Sequence, residues 1–110
     1  MSLRGLLVAA LLASCPVCAA DIQRERKALI SDLIKANALY KLEKPARYCH
    51  AWVGPRFDSM PFDQKDAIIN VVYAYCVTAD ASANIVVLKD YRTGKEIGNY
   101  GPSYGGLSLK

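Results

Sequence analysis

Residues 84–100 read NIVVLKDYRTGKEIGNY, and this stretch decides the fold class. Its first part, 84–89, is β-branched and apolar, as expected of a buried strand. The following segment ends in Gly94, and a glycine there supplies the positive φ that a hairpin loop of this length needs. Residues 95–100 then return as the partner strand. The pattern predicts a β-hairpin in the last third of the chain.

Two segments upstream of the hairpin repeat apolar residues at the three- and four-residue spacing of amphipathic helices. The first covers residues 21–36 and is followed by Asn37, a suitable left-handed cap. The second covers residues 61–77 and starts at Pro61, which suits a first helical turn because its missing N–H costs nothing there. The apolar stripes are Ile22, Leu29, Ile30, Leu33 and Ile34 in the first helix, and Ile68, Ile69, Val72, Tyr73 and Cys76 in the second.

Between these helices, residues 47–53 (RYCHAWV) are typical of a strand. Tyr48, His50 and Trp52 share one face of it, and the residues between them share the other. Residues 38–43 and 107–109 are weaker strand candidates. The order helix, one or two strands, helix, hairpin predicts an α+β fold, with two amphipathic helices packed on a small, mostly antiparallel sheet that ends in a β-hairpin.

The first twenty residues have the three zones of a secretory signal peptide. Arg4 makes a short positive region, residues 5–13 are wholly apolar, and residues 14–20 are small. The apolar run is too short for a bilayer, which needs about 20 such residues. We expect a signal peptide over 1–20, cleavage after Ala20, one domain over 21–110, no transmembrane span, and a periplasmic or secreted location.

An alternative route is left open by residues 12–15, Leu-Ala-Ser-Cys, which resemble a bacterial lipobox. Cys15 would then be acylated and become the amino terminus. The protein would be an envelope lipoprotein with a structural role, anchored by its lipid. Membrane association is expected only on this route.

Removal of the leader leaves two cysteines, Cys49 and Cys76, and an oxidising compartment favours their pairing. The bond would close a loop of about 28 residues, which the chain-entropy model converts to about 3.5 kcal/mol of stability. The alternative is two separate buried thiols.

The residues that carry chemistry are sparse. His50 is the only histidine, and we interpret it as structural because its neighbour Cys49 points to the opposite face of the strand. Two cysteines and one histidine fit no zinc spacing, and the acids of 58–66 lack the pattern of a calcium loop. We predict no catalytic residue, no metal and no cofactor. Fourteen Lys and Arg against ten Asp and Glu, without a basic stripe, predict no nucleic-acid partner.

Seven tyrosines and one tryptophan are the remaining signal, because these side chains are favoured at recognition surfaces. We predict that Trp52, Tyr91, Tyr100 and Tyr104 form a surface for a protein partner. The alternative is that these aromatic residues are there because antiparallel strands favour them. The leading hypothesis is therefore a small exported, non-enzymatic binding or accessory protein. A small hydrolase or hydrolase inhibitor is a further alternative.

Four segments resemble a set of short exported bacterial proteins without assigned activity. They are AWVGPRF at 51–57, PFDQK at 61–65, VYAY at 72–75 and DYRTGKEIG at 90–98. The shared elements are a leader, V-x-P-x-F, F-D-x-K and D-x-x-T-G-K. The resemblance spans most of residues 48–109, is absent from 21–47, and implies location and fold class only.

Overall fold

The computed structural model describes residues 16–43 and 48–110. In chain order the elements are helix α1 (Pro16–Lys35), strands β1 (Leu39–Glu43) and β2 (Cys49–Val53), helices α2 (Pro55–Asp58) and α3 (Phe62–Ala79), strands β3 (Val86–Asp90) and β4 (Glu96–Gly101), a 3-10 turn (Pro102–Tyr104) and strand β5 (Gly106–Leu109). The predicted α+β fold is confirmed, and the two predicted amphipathic helices correspond to α1 and α3.

The five strands lie in one sheet in the order β1-β2-β3-β4-β5. Three of the four neighbouring pairs are antiparallel, including the hairpin of β3 and β4. The pair β2–β3 is parallel, with Cys49 opposite Val86 and Val53 opposite Asp90. Parallel neighbours need a crossover connection, and α2 with α3 provides it. The crossover places both helices on the sheet rather than beside it.

The hydrophobic core lies between the helices and one face of the sheet. Every second side chain of β2 is buried, and the same alternation continues through the first residues of β3. One cluster joins these strands to all three described helices, which therefore cover the same face. Its buried members are Ile30, Leu39, Cys49, Ala51, Val53, Phe57, Ile69, Val72, Cys76, Val86, Leu88 and Leu107.

Helix α1 differs from its prediction in two ways. It begins at Pro16 rather than at residue 21. Of the five residues in its predicted apolar stripe, only Ile30 is buried. Ile22, Leu29 and Ile34 are 38%, 44% and 37% exposed. The physical reason is that α1 packs mainly along β1 and α3, at one margin of the core.

Two turns meet at Gly54, directly after β2. Asn37 ends the α1 region with φ 65°, as the sequence predicted. The Gly54 N–H donates to the Ala38 carbonyl at 3.0 Å, and the Arg56 N–H donates to the Asn37 carbonyl at 3.0 Å. A Cβ on residue 54 would lie 2.3 Å from the Asn37 carbonyl oxygen. The turn therefore needs a glycine because the two backbones touch.

Cys49 and Cys76 form a disulfide with a Cα–Cα distance of 6.3 Å, so the predicted pairing is confirmed. Both residues are buried. The bond ties the first residue of β2 to the last turn of α3.

A polar clasp holds the far edge of the sheet on α3. The Leu107 N–H in β5 donates to Asp66 Oδ1 at 3.2 Å, and the Tyr100 hydroxyl in β4 donates to Asn70 Oδ1 at 2.6 Å. Nothing in the sequence indicates the Asp66 contact, because it joins residues 41 apart.

None of the helices within residues 16–43 and 48–110 combines the length and apolar character needed to span a membrane. Residues 1–15 of the predicted signal peptide, including the alternative acylation site Cys15, lie outside the described residues.

Candidate functional site

The candidate site is the sheet face that points away from the helices, which we call the open face. On β2 this face carries His50 and Trp52, both half-buried. The strand register places Glu43 opposite His50 and Lys41 opposite Trp52 on one side. On the other side, Val87 lies opposite His50 and Lys89 opposite Trp52. Strand β2 thus gathers side chains from both of its neighbours.

A bulge in β4 adds two polar groups to the open face. Leu88 pairs with Gly98, but the next residue, Lys89, pairs with Glu96, so Ile97 is the extra residue. Positions 96 and 99 would point to opposite faces of a regular strand. The bulge brings them together, and Asn99 Nδ2 donates to Glu96 Oε2 at 3.3 Å.

Trp52 lies between two cations that project from the adjacent strands. Lys41 Nζ is 4.4 Å and Lys89 Nζ 5.1 Å from the centroid of the indole ring. Each cation–π contact contributes about 0.5–1 kcal/mol at an exposed site. The His50 ring stands 6.0 Å from the same indole. These contacts hold the indole in one position on the open face.

The open face has a depression of 340 Å³ next to Trp52. Aromatic rings, aliphatic side chains and polar groups all contribute to its lining. The residues are Tyr48, His50, Ile85, Val87, Lys89, Glu96, Asn99 and Tyr104.

The charges around the depression are fixed by specific contacts. Lys110 Nζ lies 2.9 Å from Glu96 Oε2. This hydrogen bond is the main cause that lowers the pKa of the Glu96 carboxyl, so the group is ionised near neutral pH. Partial burial, and secondarily the charge of Lys89, lower the pKa of His50 from 6.5, against a weaker opposing effect of Glu43 and Glu96. The imidazole is therefore neutral near pH 7.

The structure separates the four residues of the predicted recognition surface. Trp52 and Tyr104 both belong to the open face, and Tyr104 is 43% exposed. Tyr100 lies on the helix side, where its ring is 5.4 Å from that of Tyr73. Burial first, then Asp66 and Tyr73, raise the pKa of its hydroxyl.

Tyr91 lies at a third place, beyond the end of β3. Its ring is 6.1 Å from that of Tyr40, and the Arg92 guanidinium carbon is 5.3 Å from its centroid. It lines a separate depression of 430 Å³. Only Trp52 and Tyr104 of the four can contact one ligand on the open face.

The described part of the chain brings together few groups that do chemistry. It contains no cluster of three or more His, Cys, Asp or Glu residues placed to hold a metal ion. Within the same residues, no hydrogen bond links the His50 ring to a carboxylate or a hydroxyl that would make it a general base.

Sequence reasoning missed Tyr48, Lys41, Lys89, Glu96 and Asn99 as members of the site. The alternation in residues 47–53 placed Tyr48 beside Trp52, but the two lysines approach the indole only through the pairing of three strands. No sequence pattern within these segments indicates which strands pair with one another.

No protein-family model, curated protein or solved structure matches this chain. The argument for function therefore rests on the geometry of the open face. The resemblance of residues 48–109 to short exported bacterial proteins stays a prediction.

Proposed function

We propose that this chain is a small exported, non-enzymatic protein that binds a partner protein through the open face of its sheet. The observation that carries the proposal is the position of Trp52, held between Lys41 and Lys89 beside a depression of 340 Å³. Exposed tryptophan and tyrosine supply large contact area with a polar edge, and such residues dominate the binding energy of protein interfaces.

Two observations support export. Disulfides persist in oxidising compartments outside the cytosol, and the Cys49–Cys76 bond is buried in the core. Two of the described contacts that dock α1 lie after the expected cleavage point. Gln23 Nε2 donates to the Tyr75 carbonyl at 2.8 Å, and Arg26 Nη1 donates to Thr78 Oγ1 at 3.1 Å. Cleavage after Ala20 would leave these contacts intact.

Photo-crosslinking tests the binding function in the native compartment. A photoreactive phenylalanine analogue replaces Tyr104 on the open face or, as a matched control, Phe62 on α3, which is 53% exposed. We expect a discrete adduct with a protein from the Tyr104 position only. Adding Trp52→Ala to that variant should remove the adduct while the circular dichroism spectrum stays unchanged. Equal adducts from both positions, or none from Tyr104, would overturn the proposal.

The mass of the purified mature protein tests its export. An amino terminus at Asp21 supports cleavage after Ala20. An acylated Cys15 terminus would replace it with the lipoprotein alternative, and an intact Met1 terminus would remove export from the proposal.

A further inference from the structure

The charged side chains of the open face differ in whether they have an ion-pair partner. Lys41 Nζ lies 3.4 Å from Glu43 Oε2, and Lys110 Nζ lies 2.9 Å from Glu96 Oε2. Both acids therefore have a cationic partner. Lys89, in contrast, makes no ion pair within the described residues, although its charge is felt by His50 and Glu96.

Lys89 also occupies the middle of the site. It lies on β3, the central strand, opposite Trp52 of β2 and opposite Glu96 of β4. Its side chain lines the depression together with His50 and Asn99. The Lys89 ammonium, the second amide hydrogen of Asn99 and the imidazole of His50 are therefore the lining groups that a carboxylate could bind.

We propose that the open face binds an acidic, extended peptide segment of a partner protein, with a carboxylate at Lys89 and an adjacent apolar side chain against Trp52. This inference rests on the proposed function and names the chemistry of its partner. Charge complementarity favours a negatively charged ligand over a positively charged one. A carboxylate gains the Lys89 ammonium, which contacts the Trp52 ring but has no acidic partner among the described residues, whereas a cation would have to displace Lys110 from Glu96 or Lys41 from Glu43.

A nucleic acid fits the same face poorly. Its affinity comes from several Lys or Arg contacts to successive phosphates. Among the described residues that line the depression, Lys89 is the one cation, and it lies beside an ionised Glu96. A peptide with one or two carboxylates between apolar residues matches this charge and the aromatic lining.

The site also predicts how the affinity depends on pH. The charged groups that face His50 are Glu43 from β1, Lys89 from β3 and Glu96 from β4. Protonation of the imidazole adds a second positive charge to the depression. A bound carboxylate favours the protonated form, so the affinity for an acidic peptide should rise as pH falls from about 7.5 to about 5.5, a range in which a glutamate with a pKa of about 4.3 stays ionised.

Titration of the full mature protein with blocked hexapeptides tests the inference. Trp52 is the only tryptophan in the chain, so its fluorescence reports directly on the site. The three peptides alternate leucine with glutamate, glutamine or lysine, so each carries the apolar side chain that the proposal places against Trp52. A thymidine hexanucleotide is the fourth probe. We expect saturable binding of the glutamate peptide, weakened by salt, and no saturable binding of the other three.

Two lysine variants show whether binding depends on the charge at the site or on the net charge of the protein. Lys89→Gln should weaken binding of the glutamate peptide roughly fivefold, the upper range for one solvent-exposed ion pair. Lys27→Gln, on the exposed surface of α1, removes the same charge far from the site and should leave the affinity unchanged. His50→Gln should abolish the rise in affinity at low pH.

The outcomes also distinguish this inference from the proposed function. Equal affinity for the glutamate and glutamine peptides, or equal effects of the two lysine variants, would overturn the acidic partner. Preference for the hexanucleotide would overturn it as well. If no peptide binds while the Tyr104 adduct still forms, the acidic partner is refuted and the binding function stands. If the adduct also fails to form, both are refuted.

Discussion

Substitution of Gly54 by alanine should destabilise the protein through a single close approach. Gly54 has φ −91° and ψ −178°, an extended conformation that alanine adopts without strain. The added Cβ, however, would lie 2.3 Å from the Asn37 carbonyl oxygen and 2.9 Å from its carbonyl carbon. The turn after α1 and the turn after β2 must therefore separate.

The magnitude follows from the bonds that this separation breaks. The distance from the new Cβ to the Asn37 oxygen must lengthen from 2.3 Å to at least 3.0 Å. Two backbone hydrogen bonds, Gly54 to Ala38 and Arg56 to Asn37, join the turns at the same place. Losing both bonds, with the groups of the buried residues Gly54 and Ala38 left unpaired and those of the exposed Arg56 and Asn37 free to bind water, costs about 3–4 kcal/mol. Restricting the unfolded chain returns about 0.4–1 kcal/mol. We expect a net loss of about 2–3 kcal/mol.

Urea denaturation followed by circular dichroism measures this loss. The matched control is Gly105→Ala, since Gly105 has φ 69° and nothing within 4 Å of a new Cβ. That variant meets only the cost of a left-handed backbone, about 1–2 kcal/mol. Gly54→Ala should therefore be the more destabilised of the two. A Gly54→Ala variant as stable as the wild type, or more stable than Gly105→Ala, would refute the reasoning.

Three further changes test other parts of the fold. Replacing Cys49 and Cys76 together by alanine should lower the free energy of unfolding by about 3.5 kcal/mol, measured in urea, because the unfolded chain loses its closed loop. Asp66→Ala should cost about 1.5 kcal/mol through its charged hydrogen bond and should accelerate hydrogen exchange of the Leu107 amide. Stability should fall as pH drops below 6.5, because the unfolded chain protonates His50 before the folded chain does, and His50→Gln should reduce this slope.

Each of these outcomes has its own check. A double cysteine variant within about 1 kcal/mol of the wild type would contradict the loop argument. Asp63→Ala, in the first turn of α3, is the control for Asp66→Ala and should leave exchange at Leu107 unchanged. Identical slopes of stability against pH for the wild type and His50→Gln would show that folding does not lower the pKa of His50.

The elements with a local signal were predictable from the sequence. The hairpin of β3 and β4 follows from a β-branched run and from Gly94, which does adopt φ 72°. The alternation of β2 correctly separates His50 and Trp52 from its buried residues. The disulfide was predictable because only two cysteines follow the predicted leader and their pairing needs no detailed geometry.

Long-range pairing was not predictable in the same way. Nothing in residues 47–53 or 84–89 indicates that the two strands run parallel, since that depends on how α3 crosses the sheet. The short helix α2 was not predicted, although Pro55 suits its first turn.

Only two of the four predicted aromatic residues, Trp52 and Tyr104, share the open face, and a bulge explains the position of Tyr100. The bulge at Ile97 shifts β4 by one position, so counting alternate residues along the strand does not give its faces. Tyr100 consequently packs on α3, while Glu96 and Asn99 join Trp52 on the open face. Composition identified the aromatic residues but could not say which of them share a surface.

The Cys49–Cys76 bond has a mechanical consequence for the whole chain. It joins the first residue of β2 to the last turn of α3, so residues 50–75 belong to a closed covalent ring. A force that pulls on the two ends of the chain passes through the sulfur atoms and bypasses the ring. The 26 residues inside the ring do not extend under this force, although they would span about 90 Å when fully extended. This length is released under load only after a reductant opens the bond.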